Sequence, residues 1–279
     1  MVHCPVHKDR TPSLSVGAGK DGKVLVRCHA GCDQLDIIAA LRALGLWEKA
    51  RRTVRPLARR HHHQVRNEPD PDALERTEAA LAIWQASHPT EGTLAETYLR
   101  SRGLNLPAPA SVRFHPGLKH PSGGAWPAMV SLVTLGGTGT PVAIHRTFLA
   151  RDGRGKARLD PAKMMLGPCR GGVVRLGQPA GVLMVGEGIE TCLAAMQATG
   201  KPAWAALSTS GLRTLELPKD VGEVIVLADG DEAGESAARH CALRSRRQCR
   251  RVRIARPLQG MDFNDILMGR VGRSEEDGL

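Results

Sequence analysis

Four carboxylates stand out by type and spacing. Glu187-Gly188-Ile189-Glu190 follows the apolar run Val182–Gly186, and Asp229-Gly230-Asp231 follows a second apolar run at 224–228. Short, branched runs bounded by turn residues predict buried strands of a parallel sheet. Ligands of open α/β sheets collect where such strands end, so these acids are expected to share one edge. Crowded carboxylates repel unless protons or cations neutralise them. Hard oxygen donors beside a phosphate substrate suit Mg²⁺ or Mn²⁺, and the chemistry implied is phosphoryl transfer. For Asp231 a structural role as N-cap of the helix that follows is the rival reading.

A second constellation lies near the N-terminus. Cys4-Pro5-Val6-His7 and Cys28-His29-Ala30-Gly31-Cys32 stand at the two ends of a hairpin text, with a turn at Lys20-Asp21-Gly22 and a strand at 23–27. Two such knuckles bring four thiolate and imidazole donors into a tetrahedron, the closed geometry of structural zinc. A module of residues 1–49 could hardly hold together on apolar burial alone. Cys4, His7, Cys28 and Cys32 are the expected ligands, with His29 as the alternative donor because the second knuckle has three intervening residues where two are commoner. Cys169, Cys192, Cys241 and Cys249 are scattered singly and read as small packed residues.

The order strand, Glu-Gly-x-Glu, helix, strand, then strand, Asp-x-Asp, helix, over residues 181–267, resembles the Toprim domain shared by bacterial-type primases, topoisomerases and some nucleases. The resemblance implies that Glu187, Asp229 and Asp231 bind magnesium or manganese and act as the catalytic acids. Glu190 would take a fourth position, and Asp262, in an Asp-x-Asn-Asp text, would add to the acidic edge. The text Cys-Pro-x-His-x-Asp-x-x-Pro-Ser-Leu from Cys4 to Leu14, with residues 28–41, is similar to the zinc-binding domain of bacterial and phage primases. In that family this domain contacts template. Only three residues precede Cys4, a shorter lead-in than usual there, so the true start is expected further upstream.

Between these ends, Arg146, Arg151, Arg154, Lys156, Arg158, Lys163, Arg170 and Arg175 are interleaved with glycines. Glycine lets a backbone approach phosphate closely, and the cations neutralise it. The stretch resembles the subdomain placed before Toprim in phage and plasmid primases. The likeness makes Arg146 and Lys163 the candidates for triphosphate or template contacts.

These sites need an α/β scaffold: a Toprim parallel sheet flanked by helices, preceded by a mixed α+β subdomain and an N-terminal zinc-ribbon-like module. The expected divisions are 1–49 for the zinc module, 50–72 for a basic flexible linker, 73–176 for the basic subdomain, 177–270 for Toprim and 271–279 for an acidic tail. The linker holds Arg51, Arg52, Arg55, Arg59, Arg60 and Arg66 around three histidines and has nothing to bury. Leu74, Ala80, Leu81 and Trp84 recur near the helical period, and a second helix over 93–102 carries Tyr98, the only tyrosine. Strands are expected at 112–115, 129–133 and 142–148, with a hairpin turn at 136–140 that lacks the lysine of a P-loop. In the Toprim stretch, strands are expected at 202–207, 223–228 and 251–255, helices at 188–199 and 233–246, and a turn at 208–211.

Composition agrees with a nucleic-acid partner. Lys and Arg number 39 against 28 Asp and Glu, a net charge of +11, which favours polyanions. Neither a membrane span nor a secretory signal is visible, so a cytoplasmic protein without a membrane partner is expected. Read whole, the chain resembles bacterial- or phage-type DNA primases. The expected activity is synthesis of short primers on single-stranded DNA from nucleoside triphosphates, with zinc and magnesium or manganese as cofactors and a separate replicative helicase as partner. The alternatives are a Toprim-type nuclease and a non-catalytic zinc-containing nucleic-acid-binding protein. A topoisomerase needs a tyrosine beside the metal, and Tyr98 lies on a helix that reads as packed core.

Overall fold

The computed structural model describes residues 2–7, 9, 11–18, 24–47, 71–257 and 261–269. The expected turn at 20–22, the arginine- and histidine-bearing part of the linker and the acidic tail lie outside the described residues. The chain divides into two compact units, Met1–Glu68 and Pro69–Leu279.

In the first unit, β1 (Leu14–Ala18) and β2 (Val24–Cys28) pair antiparallel with Leu14 opposite Cys28, and α1 (Gln34–Ala43) follows. Leu14, Val26 and Ile37 are buried around Cys4 and Cys28. So few apolar side chains leave this unit dependent on another source of stability, as its size predicts.

The second unit opens with α2 (Pro71–Gln85), inside the expected linker. Proline is at home in a first turn, where no N–H is needed. Leu74 is 52% exposed, contrary to the helical stripe expected of it. The face that packs is Ala80, Ile83 and Trp84, against Ile144 and Phe148. After α3 (Leu94–Ser101) come β3 (Val112–Lys119), β4 (Ala125–Leu135), β5 (Pro141–Phe148), β6 (Lys163–Leu166) and β7 (Gly172–Arg175). Of these, β6 and β7 are too short to announce themselves by alternation.

The remaining elements are β8 (Val182–Gly186), α4 (Ile189–Thr199), β9 (Ala203–Ala205), α5 (Thr209–Thr214), β10 (Glu223–Leu227), α6 (Glu232–Arg247), β11 (Arg251–Ala255) and α7 (Phe263–Leu267). The turn expected at 208–211 is the start of α5, where the Ser208 side chain accepts the Gly211 N–H at 2.9 Å. Strands β11, β10, β8 and β9 are mutually parallel in that order. Strand β7 then pairs antiparallel with both β9 and β4, so a single nine-stranded sheet runs β11-β10-β8-β9-β7-β4-β5-β6, with β3 beside β4. The protein is thus a mixed α/β fold with a parallel part and an antiparallel extension. Strand β8 is buried on both faces: Met184 packs into one cluster, Leu183 and Val185 into the other, as strand alternation between two helical layers requires. Among the described residues, no helix is long and apolar enough to cross a membrane.

Candidate functional site

Strands β8 and β10 are parallel neighbours in register, Val185 opposite Val226, so the chain leaves both in the same direction. Glu187 and Asp229 therefore emerge on one edge of the sheet and line a cleft of about 290 Å³. Glu190, Asp262, Arg102, His145, Lys156 and Lys163 complete its polar walls. Burial, and then the charges of Asp229 and Asp231, push the Glu187 carboxyl up to about 7. Burial and the carboxylates of Asp231 and Asp262 raise Asp229 likewise. Oxygen donors held in mutual repulsion fit a hard divalent cation, which would relieve it.

Asp231 has a second occupation: its Oδ1 accepts the Gly234 N–H at 2.7 Å, capping α6. It does not line the cleft. Gly234 is required there because a Cβ would stand 2.8 Å from Asp229 Cβ and 3.1 Å from Asp231 Oδ1. Asp262 caps α7 in a reciprocal capping box with Asp265, and its carboxylate faces Arg102 at 4.0 Å.

Basic groups line the same cleft. Lys163 Nζ lies 3.2 Å from Glu190 Oε2, and the Tyr98 hydroxyl donates to Glu190 Oε1 at 2.7 Å. Burial opposes ionisation of Glu190, but Lys163, Tyr98 and Lys156 outweigh it and hold the carboxyl at about 2. Burial and then Lys163 hold His145 near 4, so its imidazole is neutral, and its buried Nδ1 has no hydrogen-bond partner among the described residues. Burial also lowers Lys156, with Lys163 adding to the effect. Tyr98 is buried, as expected, its hydroxyl bonding Glu190 behind the cleft lining, and burial and Glu190 push it far above the usual phenol range.

Arg146 does not join this group. It follows His145 on β5, and neighbouring strand residues face opposite sides. His145 lines the cleft, whereas the Arg146 guanidinium donates to the Met165 carbonyl at 3.1 Å and lies over Phe148 on the α2 side. Other cations of the same stretch are engaged structurally: Arg151 lies over Trp126 and Arg175 over Trp204.

In the first unit, Cys4, His7, Cys28 and Cys32 converge, their ligand atoms all within 4.8 Å of one another. Among the described residues this is the one group of three or more His, Cys, Asp or Glu side chains whose ligand atoms lie that close together. His7 Nδ1 stands 3.1 Å from Cys32 Sγ and 4.0 Å from Cys28 Sγ. Its Nε2 is bound by the Asp9 carboxylate, which also accepts the Cys4 N–H at 2.7 Å and the Ser13 hydroxyl at 2.8 Å. Burial pushes the Cys32 thiol up to about 12. At Cys28 the effect of burial is outweighed by the Ser13 hydroxyl and by backbone N–H groups, which bring it down to about 7. Three sulfurs and a nitrogen at this spacing fit tetrahedral zinc. His29 is exposed and outside the set. Asp9 is a functional residue that ligand spacing alone does not reveal; its signal is the Asp in the Cys-Pro-x-His-x-Asp text. Of the scattered cysteines, Cys192 and Cys241 are buried, but Cys249 is exposed beyond the end of α6, against the packed role expected of it.

Comparison with known proteins divides the second unit by sequence. Residues 74–176 match a domain of unknown function (DUF7146), and residues 182–273 match the Toprim domain. No curated protein matches the chain. Similar solved structures include the DnaG catalytic core, at 19% identity over 70% of this chain and 75% of that one, with a TM-score of 0.49. The DnaG primase catalytic domain bound to ssDNA is similar at 16% identity over 70% and 77%, TM-score 0.48. A primase from Aquifex aeolicus, with zinc binding and RNA polymerase domains, is similar at 15% identity over 96% and 75%, TM-score 0.43. It is within residues 182–273, the stretch that matches the Toprim domain, that Glu187 and Asp229 leave neighbouring parallel strands at one edge.

Proposed function

We propose that this protein is a DNA primase, a nucleotidyltransferase that joins nucleoside triphosphates into short primers on a single-stranded DNA template. The observation that carries the reading is that the acids Glu187 and Asp229, at the strand ends of the Toprim stretch, line one cleft together with the cations Lys156 and Lys163 from residues 74–176. Acids and cations lining one cleft suit a triphosphate accompanied by divalent metal. Glu187 and Asp229, with Asp231 beside them, would hold magnesium or manganese. Such ions screen phosphate charge and lower the cost of forming the attacking 3′-oxygen. Lys163 and Lys156 would grip the phosphates by charge, and Arg102 would add a cation beside Asp262. The first unit, cross-linked by zinc through Cys4, His7, Cys28 and Cys32, would meet the template. A replicative helicase would supply unwound DNA.

A tyrosine-dependent strand transfer finds no support, since the Tyr98 hydroxyl is buried and already donated to Glu190. The test is incubation of the purified chain with unprimed single-stranded DNA, labelled nucleoside triphosphates and Mg²⁺ or Mn²⁺, with Asp229→Ala as control. Short labelled products that vanish in the variant are expected. Metal-dependent shortening of the DNA without synthesis would replace the primase by a nuclease.

A further inference from the structure

Glu190 stands three residues after Glu187, yet both of its carboxylate oxygens already accept from protein groups. Oε1 accepts from the Tyr98 hydroxyl at 2.7 Å and Oε2 from Lys163 Nζ at 3.2 Å. The three residues come from α3, β6 and the first turn of α4. Tyr98 is 1% exposed and Glu190 6%, whereas the Lys163 side chain remains 39% exposed, with its ammonium at the cleft. An ammonium has three donors. One is spent on Glu190, so others remain to meet a ligand in the cleft.

We infer that Tyr98 and Glu190 are positioning residues that aim the Lys163 ammonium at the phosphates of a nucleoside triphosphate, and that Glu190 is not a metal ligand. The inference rests on the triphosphate reading of the cleft. Its physical basis is preorganisation. A lysine on a four-carbon stem is a mobile point charge, and ordering it at the moment of binding weakens affinity. An ion pair to a buried carboxylate orders it beforehand, and that carboxylate is itself fixed by a phenol whose ring is packed in the core. Each oxygen keeps a second lone pair, but Glu190 is 6% exposed and both oxygens are turned to these two partners, which a metal would have to share or displace.

The test is equilibrium binding of Mg²⁺-ATP by the full chain, as wild type, Tyr98→Phe, Lys163→Met and the double variant. Phenylalanine keeps the buried ring and removes only the hydroxyl. Each single variant is expected to weaken ATP binding by about tenfold. The double variant is expected to bind no more weakly than Lys163→Met, because without the lysine the tyrosine has nothing to aim. Tyr98→Phe binding like wild type, losses that add in the double variant, or a wild type that does not bind ATP would each overturn the inference. A purely structural role for Tyr98 would give additive losses and a lower melting temperature. Mn²⁺ binding without nucleotide supplies a second readout. Glu190→Gln should leave it unchanged, and a loss of about tenfold or more would restore Glu190 to the metal set. Primer synthesis enters neither measurement. A chain that shows the coupling but makes no primers loses only the primase reading, and one that makes primers with additive losses loses only the positioning role.

Discussion

Asp9 holds one edge of the His7 ring while the other edge faces Cys32 Sγ at 3.1 Å. The carboxylate accepts from Nε2, which fixes the tautomer that leaves Nδ1 free to bind metal. The side chain of Asp9 is 3% exposed, and it also ties down Cys4 and Ser13, so one carboxylate organises the first knuckle and holds the Ser13 hydroxyl that stands 3.5 Å from Cys28 Sγ in the second. Asp9→Ala should therefore reduce zinc affinity by about 10–100-fold while all four ligands remain. Competition with a chromogenic chelator measures this, and an unchanged affinity would leave Asp9 with only a local folding role.

Cys28→Ser should cost the protein its zinc outright, read as metal content per chain. Because Leu14, Val26 and Ile37 are a small core, the same variant should make residues 2–47 sensitive to protease while the melting of the second unit is unaffected. Cys249→Ser is the control, since that thiol is exposed and lies outside the cluster. Zinc remaining at one per chain in Cys28→Ser would mean that the ligand set is different.

The acidic edge predicts a pH effect with a definite sign. Glu187 is raised in the fold to about 7 from an ordinary 4.5, so the folded chain binds its proton more tightly than the unfolded chain does. Its contribution to stability consequently falls as pH rises from about 4.5 through about 7. In metal-free protein, Glu187→Gln should melt higher than wild type at pH 8, by roughly several degrees, and the two should converge near pH 4. His145 is present in both proteins and cancels from the difference. Added Mg²⁺ should stabilise only the wild type at pH 8 and shrink or reverse the gap. A gap that does not vary with pH would show that Glu187 is not under this repulsion.

Gly234→Ala sets helix propensity against packing. Propensity alone would favour alanine by about 1 kcal/mol. The new methyl group would, however, stand 2.8 Å from Asp229 Cβ, which is rigidly attached to the backbone. We expect net destabilisation of about 1–3 kcal/mol by urea titration, together with weaker Mn²⁺ binding as Asp229 is displaced. A variant more stable than wild type would show that the start of α6 can move away without harm.

Much of the fold is legible wherever local pattern and burial coincide. Strand β8 is a continuous apolar run ending in Gly186, and β10 another ending before Asp229; both lie where the text puts them. The cysteine–histidine knuckles could be paired from spacing alone because each is locally complete. What fails to show is register, very short elements and contacts between distant segments. Strand β5 is visible as a strand, but Ala143, Ile144, Thr147 and Phe148 are all buried, so apolar pattern does not say whether His145 or Arg146 faces the cleft. Helices α5 and α7, of six and five residues, are too short for a helical period to emerge. The Tyr98–Glu190 bond spans 92 residues, and no local rule connects them. Lys156 lies between strands, where a cation has no pattern to mark its neighbours.

The pairing of β7 with β9 on one side and β4 on the other has a practical corollary for dissecting this protein. The natural place to cut by family match, between residues 176 and 182, runs along a hydrogen-bonded seam inside a sheet rather than through a hinge. A fragment beginning at Val182 would bare the edge of β9, with Trp204 losing its Gly177 acceptor, and the complementary fragment would bare β7. Unpaired edges of this kind recruit other copies. Both pieces should therefore aggregate when expressed separately, and Pro69–Leu279 is the smallest portion suited to isolation.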